Sequence, residues 1–222
     1  MGFLRNISDL ITEVRQTADM ENTQFVTDTE IVKWLNNAYR RMYNLLIEAY
    51  ENYKVSPKDL TTVANQTQYT LETDFLKLLK VFFVASDGRE VPLIRIPMQE
   101  MGRYSRVDNR PRVYCLLGDK LYLWPVSAAG VTIRYYYVPA ATVFTSATTN
   151  VDFAQHMDEY CVIWAAVKCL IKEKTPCNEL INDREKLELD CIRMANPRDA
   201  SEAQVISDVV YSRSYEQEVL WD

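Results

Sequence analysis

Histidine is almost missing from this chain. His156 is the single one in 222 residues, so no multi-histidine metal site can be assembled. Glycine is nearly as scarce. The five glycines, at positions 2, 88, 102, 118 and 130, are scattered, and no phosphate-cradling loop or dinucleotide fingerprint can be built from them. The five cysteines (Cys115, Cys161, Cys169, Cys177 and Cys191) are odd in number and show no C-x-x-C spacing. Buried free thiols in a reducing cytosol are the expectation for them. No G-x-S-x-G marks a nucleophile. No apolar run reaches the roughly 18 residues that a spanning helix needs, so no membrane partner is expected. Met1 to Asn6 lacks a basic patch followed by an apolar stretch, so no signal peptide is expected either. With a net charge of −6, the chain is a poor general nucleic-acid binder, because phosphate contacts need clustered Lys and Arg. His156 reads as structural, and the adjacent acids Asp158 and Glu159 are explained by the dipole of the helix they begin. Neither a catalytic residue, a cofactor nor a metal is expected, and the chain reads as no enzyme.

What is present is a globular composition, 48% hydrophobic and 25% charged, in a chain of a length that fits one domain or a core with an inserted subdomain. Four segments carry helical periodicity. Leu4, Ile7, Ile11, Val14 and Ala18 step 3-4-3-4 and predict a helix from about Leu4 to Ala18. A second helix starts at Thr27-Asp28-Thr29-Glu30, a capping box, runs through Ile31, Leu35, Ala38, Met42, Leu45 and Ala49, and ends near Tyr53. Met157, Tyr160, Trp164, Val167 and Ile171 predict a third, stopped by Pro176. Leu180, Leu187, Cys191 and Met194 predict a fourth, ended by Asn196-Pro197. Two such helices at each end of the chain suggest a four-helix bundle.

The middle is β-rich. Asp59 to Ala64 and Gln68 to Leu71 read as a hairpin around Asn65-Gln66-Thr67. Leu78 to Ala85 turns through Ser86-Asp87-Gly88-Arg89 and returns as Glu90 to Ile94. Arg112 to Leu117 turns at Gly118-Asp119 into Lys120 to Trp124, and Val131 to Val138 alternates. Pro97 to Tyr104 reads as one short helix. The fold class is therefore α+β: a four-helix bundle with an inserted antiparallel β subdomain and an extended C-terminal arm. The expected division is an N-terminal helix pair (1–56), the β-rich insertion (57–150), a C-terminal helix pair (151–196) and the arm (197–222).

Two segments stand out by charge. Residues 89–112 hold six arginines (89, 95, 103, 106, 110 and 112) against Glu90, Glu100 and Asp108, a net of +3. Arg103, Arg106, Arg110 and Arg112 are candidates for a loop that lines a DNA channel or meets an acidic neighbour, with a plain solvated loop as the alternative. The arm holds six acids (Asp199, Glu202, Asp208, Glu216, Glu218 and Asp222) against Arg198 and Arg213, a net of −4. It also carries Val205, Ile206, Val209, Val210, Tyr211, Tyr215, Val219, Leu220 and Trp221. Large apolar side chains on a polar extension need a surface to cover them. The consecutive Tyr135-Tyr136-Tyr137 must point to both faces of a strand, so one ring leaves the core of a one-sided sheet and suits a subunit contact.

Several passages resemble phage head-to-tail adaptor proteins, of the kind that binds beneath the portal ring. They are Ile7-Ser8-Asp9-Leu10-Ile11-Thr12-Glu13-Val14-Arg15, then Phe25 to Ile31, then Trp34 to Leu46. Gln68-Tyr69-Thr70-Leu71 leading to Asp74-Phe75 follows, with Gly118-Asp119-Lys120-Leu121-Tyr122-Leu123-Trp124-Pro125, Ile133 to Ala140, and Asp158 to Ala166. The ordered series covers about residues 4 to 197. The resemblance implies a four-helix core, an inserted β region and an arm that reaches the portal protein, here through Val205, Ile206, Val209, Val210, Tyr211, Tyr215, Leu220 and Trp221. It implies a homo-oligomeric ring, typically of twelve copies, that joins portal to tail (nozzle or tube) proteins and continues the DNA channel, with DNA only as passing cargo. It places the chain in the virion at the head-tail junction, assembled in the host cytoplasm. The competing readings are another tail-completion or tail-tube component, and a non-viral helical protein-binding module.

Overall fold

In the computed structural model, residues 3–20, 25–104, 110–125, 129–145, 150–154 and 156–195 are described. Over the described residues the fold is mixed α+β, with four α-helices and mostly antiparallel sheets. The chain opens as a strand, β1 (Phe3–Asn6), not as a helix, and α1 follows at Ile7–Thr17. Asn6 sets that boundary. Its backbone is extended, and its side chain accepts the Ser8 amide at 2.9 Å, capping the helix. Leu4, counted above on the helical stripe, is consequently turned out and 75% exposed.

The second helix, α2 (Asp28–Ala49), begins with the expected capping box: Thr27 accepts from the Glu30 amide and Glu30 accepts from the Thr27 amide. Val26 before the cap and Ile31 in the first turn are buried in the same core, as in a hydrophobic staple. A 3-10 turn (Glu51–Tyr53) extends the helix. Its buried stripe ends on Leu46 rather than Leu45. After the strands β2 (Ser56–Thr61), β3 (Gln68–Thr70), β4 (Phe75–Val84), β5 (Glu90–Pro92), β6 (Ile94–Arg95), β7 (Val113–Leu117), β8 (Lys120–Trp124), β9 (Thr132–Pro139) and β10 (Asn150–Phe153) come α3 (Met157–Glu173) and α4 (Asn178–Ala195). In α3 and α4 the stripe ends differ from expectation. Ile171 and Met194 are exposed, while Cys169 and Ala195 are buried. The inward face of α3 is broader than a 3-4 stripe, because α3 contacts all three other helices.

Successive helices alternate in direction. Arg15, near the end of α1, pairs with Asp28 at the start of α2. Glu30 at the start of α2 meets Lys172 at the end of α3 at 2.8 Å. Tyr160 near the start of α3 donates to Glu188 in the second half of α4 at 3.0 Å. β1 and β10 pair antiparallel, Phe3 opposite Phe153 and Asn6 opposite Asn150, and Arg5 of β1 reaches Asp158 at the start of α3 at 3.2 Å. All four share one core that includes Ile7, Leu10, Leu35, Met42, Phe153, Tyr160, Ala165 and Cys191.

Two four-stranded sheets build the rest, in the orders β2-β9-β4-β5 and β3-β8-β7-β6. They face each other across a second core of Tyr69, Val81, Leu121, Leu123, Ile133, Tyr135 and Tyr137. The hairpin expected of residues 59–71 does not form. β2 pairs with β9 and β3 with β8, so the turn at Asn65 carries the chain from one sheet to the other. The longer β9 and β8 offer each short strand a full ladder, and Thr62 is tied to Val131 beyond the end of β2. The other expected turns are present, with Gly88 and Gly118 at positive φ. One pairing departs from the antiparallel expectation: β6 runs parallel to β7. Alternation in β8 sends Leu121 and Leu123 into the second core. Tyr122 and Trp124, stacked 5.6 Å apart, go to the opposite face. There a 3-10 segment (Met98–Tyr104) covers them with Met101 and Tyr104.

Candidate functional site

The described surface offers charged and aromatic clusters rather than an enclosed catalytic cleft. Arg103 closes the 3-10 segment Met98–Tyr104 and is widely exposed, with Glu100 at 4.0 Å as an ion partner. Arg110 lays its guanidinium over the Phe83 ring, 5.4 Å from the centroid. Arg112 is exposed, and its backbone amide donates to the Trp124 carbonyl at 2.8 Å. These three lie around the β6–β7 edge of one sheet. Arg106 lies outside the described residues, as do the arm positions Val205, Ile206, Val209, Val210, Tyr211, Tyr215, Leu220 and Trp221.

On the outer face of the other sheet, Tyr136 is the ring that leaves the core, while Tyr135 and Tyr137 are buried. Tyr136 meets Phe82 edge-on at 5.6 Å, and its hydroxyl donates to Glu90. Beside it Arg134 bridges Asp59 through two nitrogens, at 2.6 and 2.8 Å, and Glu90 at 2.8 Å. The hydrogen bonds from Arg134 hold the Asp59 carboxyl below the usual carboxylate range. These ties bind three strands together.

A third cluster lies where α2, α3 and α4 meet. Trp164 of α3 is ringed by three cations. Arg41 is 5.6 Å from its centroid, Lys168 5.7 Å and Arg184 5.1 Å. The Trp164 indole nitrogen and the Arg184 Nε are buried with no hydrogen-bond partner among the described residues. No linear signal in the sequence marked this cluster, because its members come from three helices spread over residues 41 to 184.

His156 precedes α3 with positive φ and has Glu159 at 3.8 Å. It borders an open cleft of about 660 Å³ with Arg5, Glu13, Asp158 and Glu159. Arg5 pairs with both Glu13 and Asp158 there, which ties the starts of α1 and α3. The pairs are structural ties. The thiols of Cys161, Cys169 and Cys191 are pushed up by burial, Cys169 to about 11 and Cys191 to about 12, which makes them poor nucleophiles at neutral pH. Among the described residues no group of His, Cys, Asp and Glu side chains is placed to hold a metal ion. None of the described helices is long and apolar enough to cross a membrane.

The model of one protein family, described as SU10 adaptor protein, matches residues 5–202. The chain belongs to this family of phage head-to-tail adaptors. No curated protein matches the chain. The adaptor match spans all four helices and the strands from β2 to β10, and it includes Arg103, Arg106, Arg110 and Arg112. It stops three residues short of Val205, so the apolar positions of the arm lie beyond it.

Proposed function

We propose that this adaptor is a non-enzymatic structural protein of the virion, forming a ring that joins the portal to the tail. The observation that carries the reading is the family match over residues 5–202. In this reading the four helices form the bundle, residues 57–150 are its β-rich insertion, and twelve copies close the ring. The ring continues the channel through which DNA passes, with Arg103, Arg106, Arg110 and Arg112 on its wall or between subunits. The segment 197–222 is the arm, and Val205, Ile206, Val209, Val210, Tyr211, Tyr215, Leu220 and Trp221 meet the portal protein, while tail nozzle or tube proteins dock on the opposite side.

The physical logic is repetition. A single arm buries a short string of apolar side chains, so its own affinity is modest. Each bound neighbour raises the effective concentration of the next contact, and the ring as a whole is held far more tightly than one copy. Phage assembly takes place in the host cytoplasm, where the cysteines stay reduced. The test is co-sedimentation with the portal ring of the same genome, using the full chain and a chain ended at residue 196. The full chain is expected to co-sediment and the shortened one to lose binding. Equal binding by both would remove the arm from the portal contact, and no binding by either would contradict the adaptor reading.

A further inference from the structure

We propose that the cation-ringed Trp164 face is a docking site for the acidic start of the arm, Asp199 to Glu202, of a second copy of this chain. The inference rests on the ring reading above and names the contact between its neighbours.

The acceptor is built from three helices. Trp164, Lys168, Ile171 and Lys172 share one face of α3, spaced four, seven and eight residues from the first. Ile171 is 52% exposed there, and Phe25, also 52% exposed, lies under the Lys172 ammonium at 5.0 Å. The face is therefore cationic at its heads and apolar at its floor. Its charges are not evenly paired. Arg41 has Glu188 and Lys172 has Glu30. Arg184 has only its chain neighbour Glu185, and Lys168 has no acidic partner among the described residues.

The arm start has the complementary chemistry. Asp199 and Glu202 supply two acids within four residues, ahead of Val205 and the other apolar positions assigned to the portal. The geometry favours a neighbour as donor over the same chain. Arg184 lies in the first half of α4, and Ala195 ends it. Eleven residues of helix at about 1.5 Å each put about 16 Å between them, and the chain beyond Ala195 must reverse to return to Trp164. A contact between two different patches on identical subunits is heterologous, the type that generates rings.

The full chain is prepared with natural and with heavy nitrogen, mixed, and treated with a spacer-free carbodiimide, both free and bound to the portal. Lys168 is expected to be joined to Asp199 or Glu202, with both labels in one product. Lys168→Glu is expected to weaken subunit association about tenfold, read by sedimentation, and Asp199→Lys with Glu202→Lys in the same chain to restore it. Products confined to single labels would overturn the inference, as would a Lys168 that reaches no carboxylate of the arm. Portal binding is scored separately. Portal binding without mixed-label products sinks this inference alone; mixed-label products without portal binding sink the portal reading and leave this contact standing.

Discussion

Thr27 and Glu30 cap the start of α2 reciprocally, each accepting the other's backbone amide. The capping box lies in four consecutive positions, and the structure contains it. Thr27→Ala is expected to cost about 1 kcal/mol, measured by urea denaturation. Glu30 has a second role that no local pattern revealed. Its carboxylate also receives Lys172, 142 residues away. The hydrogen bond from Lys172, reinforced by the Thr27 amide, holds the Glu30 carboxyl down from 4.5 to about 2. A carboxyl whose pKa is depressed in the folded state contributes its stability above about pH 4.5, and the contribution fades as pH falls toward 2. Glu30→Gln is therefore expected to lower stability at pH 7 and to flatten its decline between pH 4.5 and 2, followed by denaturation at several pH values. An unchanged slope would refute that assignment.

At the scale of elements, periodicity located every helix but misplaced some ends. The first helix lost Leu4 to Phe3–Asn6 because a partner strand, Asn150–Phe153, was available far along the chain. The hairpin at residues 59–71 failed for a related reason. Both runs had strand character and a turn between them, yet β9 and β8 outcompeted their pairing with each other. Local patterns say that a strand forms; they do not say which distant strand completes it. A similar long-range tie is Asn36. Its side-chain amide donates to the Phe144 carbonyl at 2.9 Å and its oxygen accepts the Phe144 amide at 2.7 Å. That mimics a ladder pair between α2 and the segment before β10. Asn36→Ala is expected to cost about 2 kcal/mol and to speed hydrogen exchange at the Phe144 amide. Exchange there equal to the parent protein would contradict this role.

For the whole molecule, the helical halves share one core and the sheets another. Polar bridges such as Tyr43 to the Pro139 carbonyl, at 2.6 Å, join them. Leu121, fully buried between the sheets, tests that separation. Leu121→Ala is expected to cost about 2 to 5 kcal/mol, the range for buried leucine, with hydrogen exchange rising first in β3, β7 and β8. Simultaneous and equal loosening of α1 and α3 would mean that the two cores unfold as one. The candidate surfaces were only partly legible. The arginines of residues 103–112 are contiguous enough to see in sequence. The Trp164 face, assembled from α2, α3 and α4, exists only after folding.

The proposed docking of this adaptor as a ring on the portal predicts a discrete gain in mass. Native mass spectrometry of the portal ring from the same genome, alone and with this protein, tests it most directly. A complex heavier than the portal by many whole copies, clustered at one stoichiometry, is the expected result. A portal mass left unchanged, with this protein remaining in a small oligomer of its own, would contradict it.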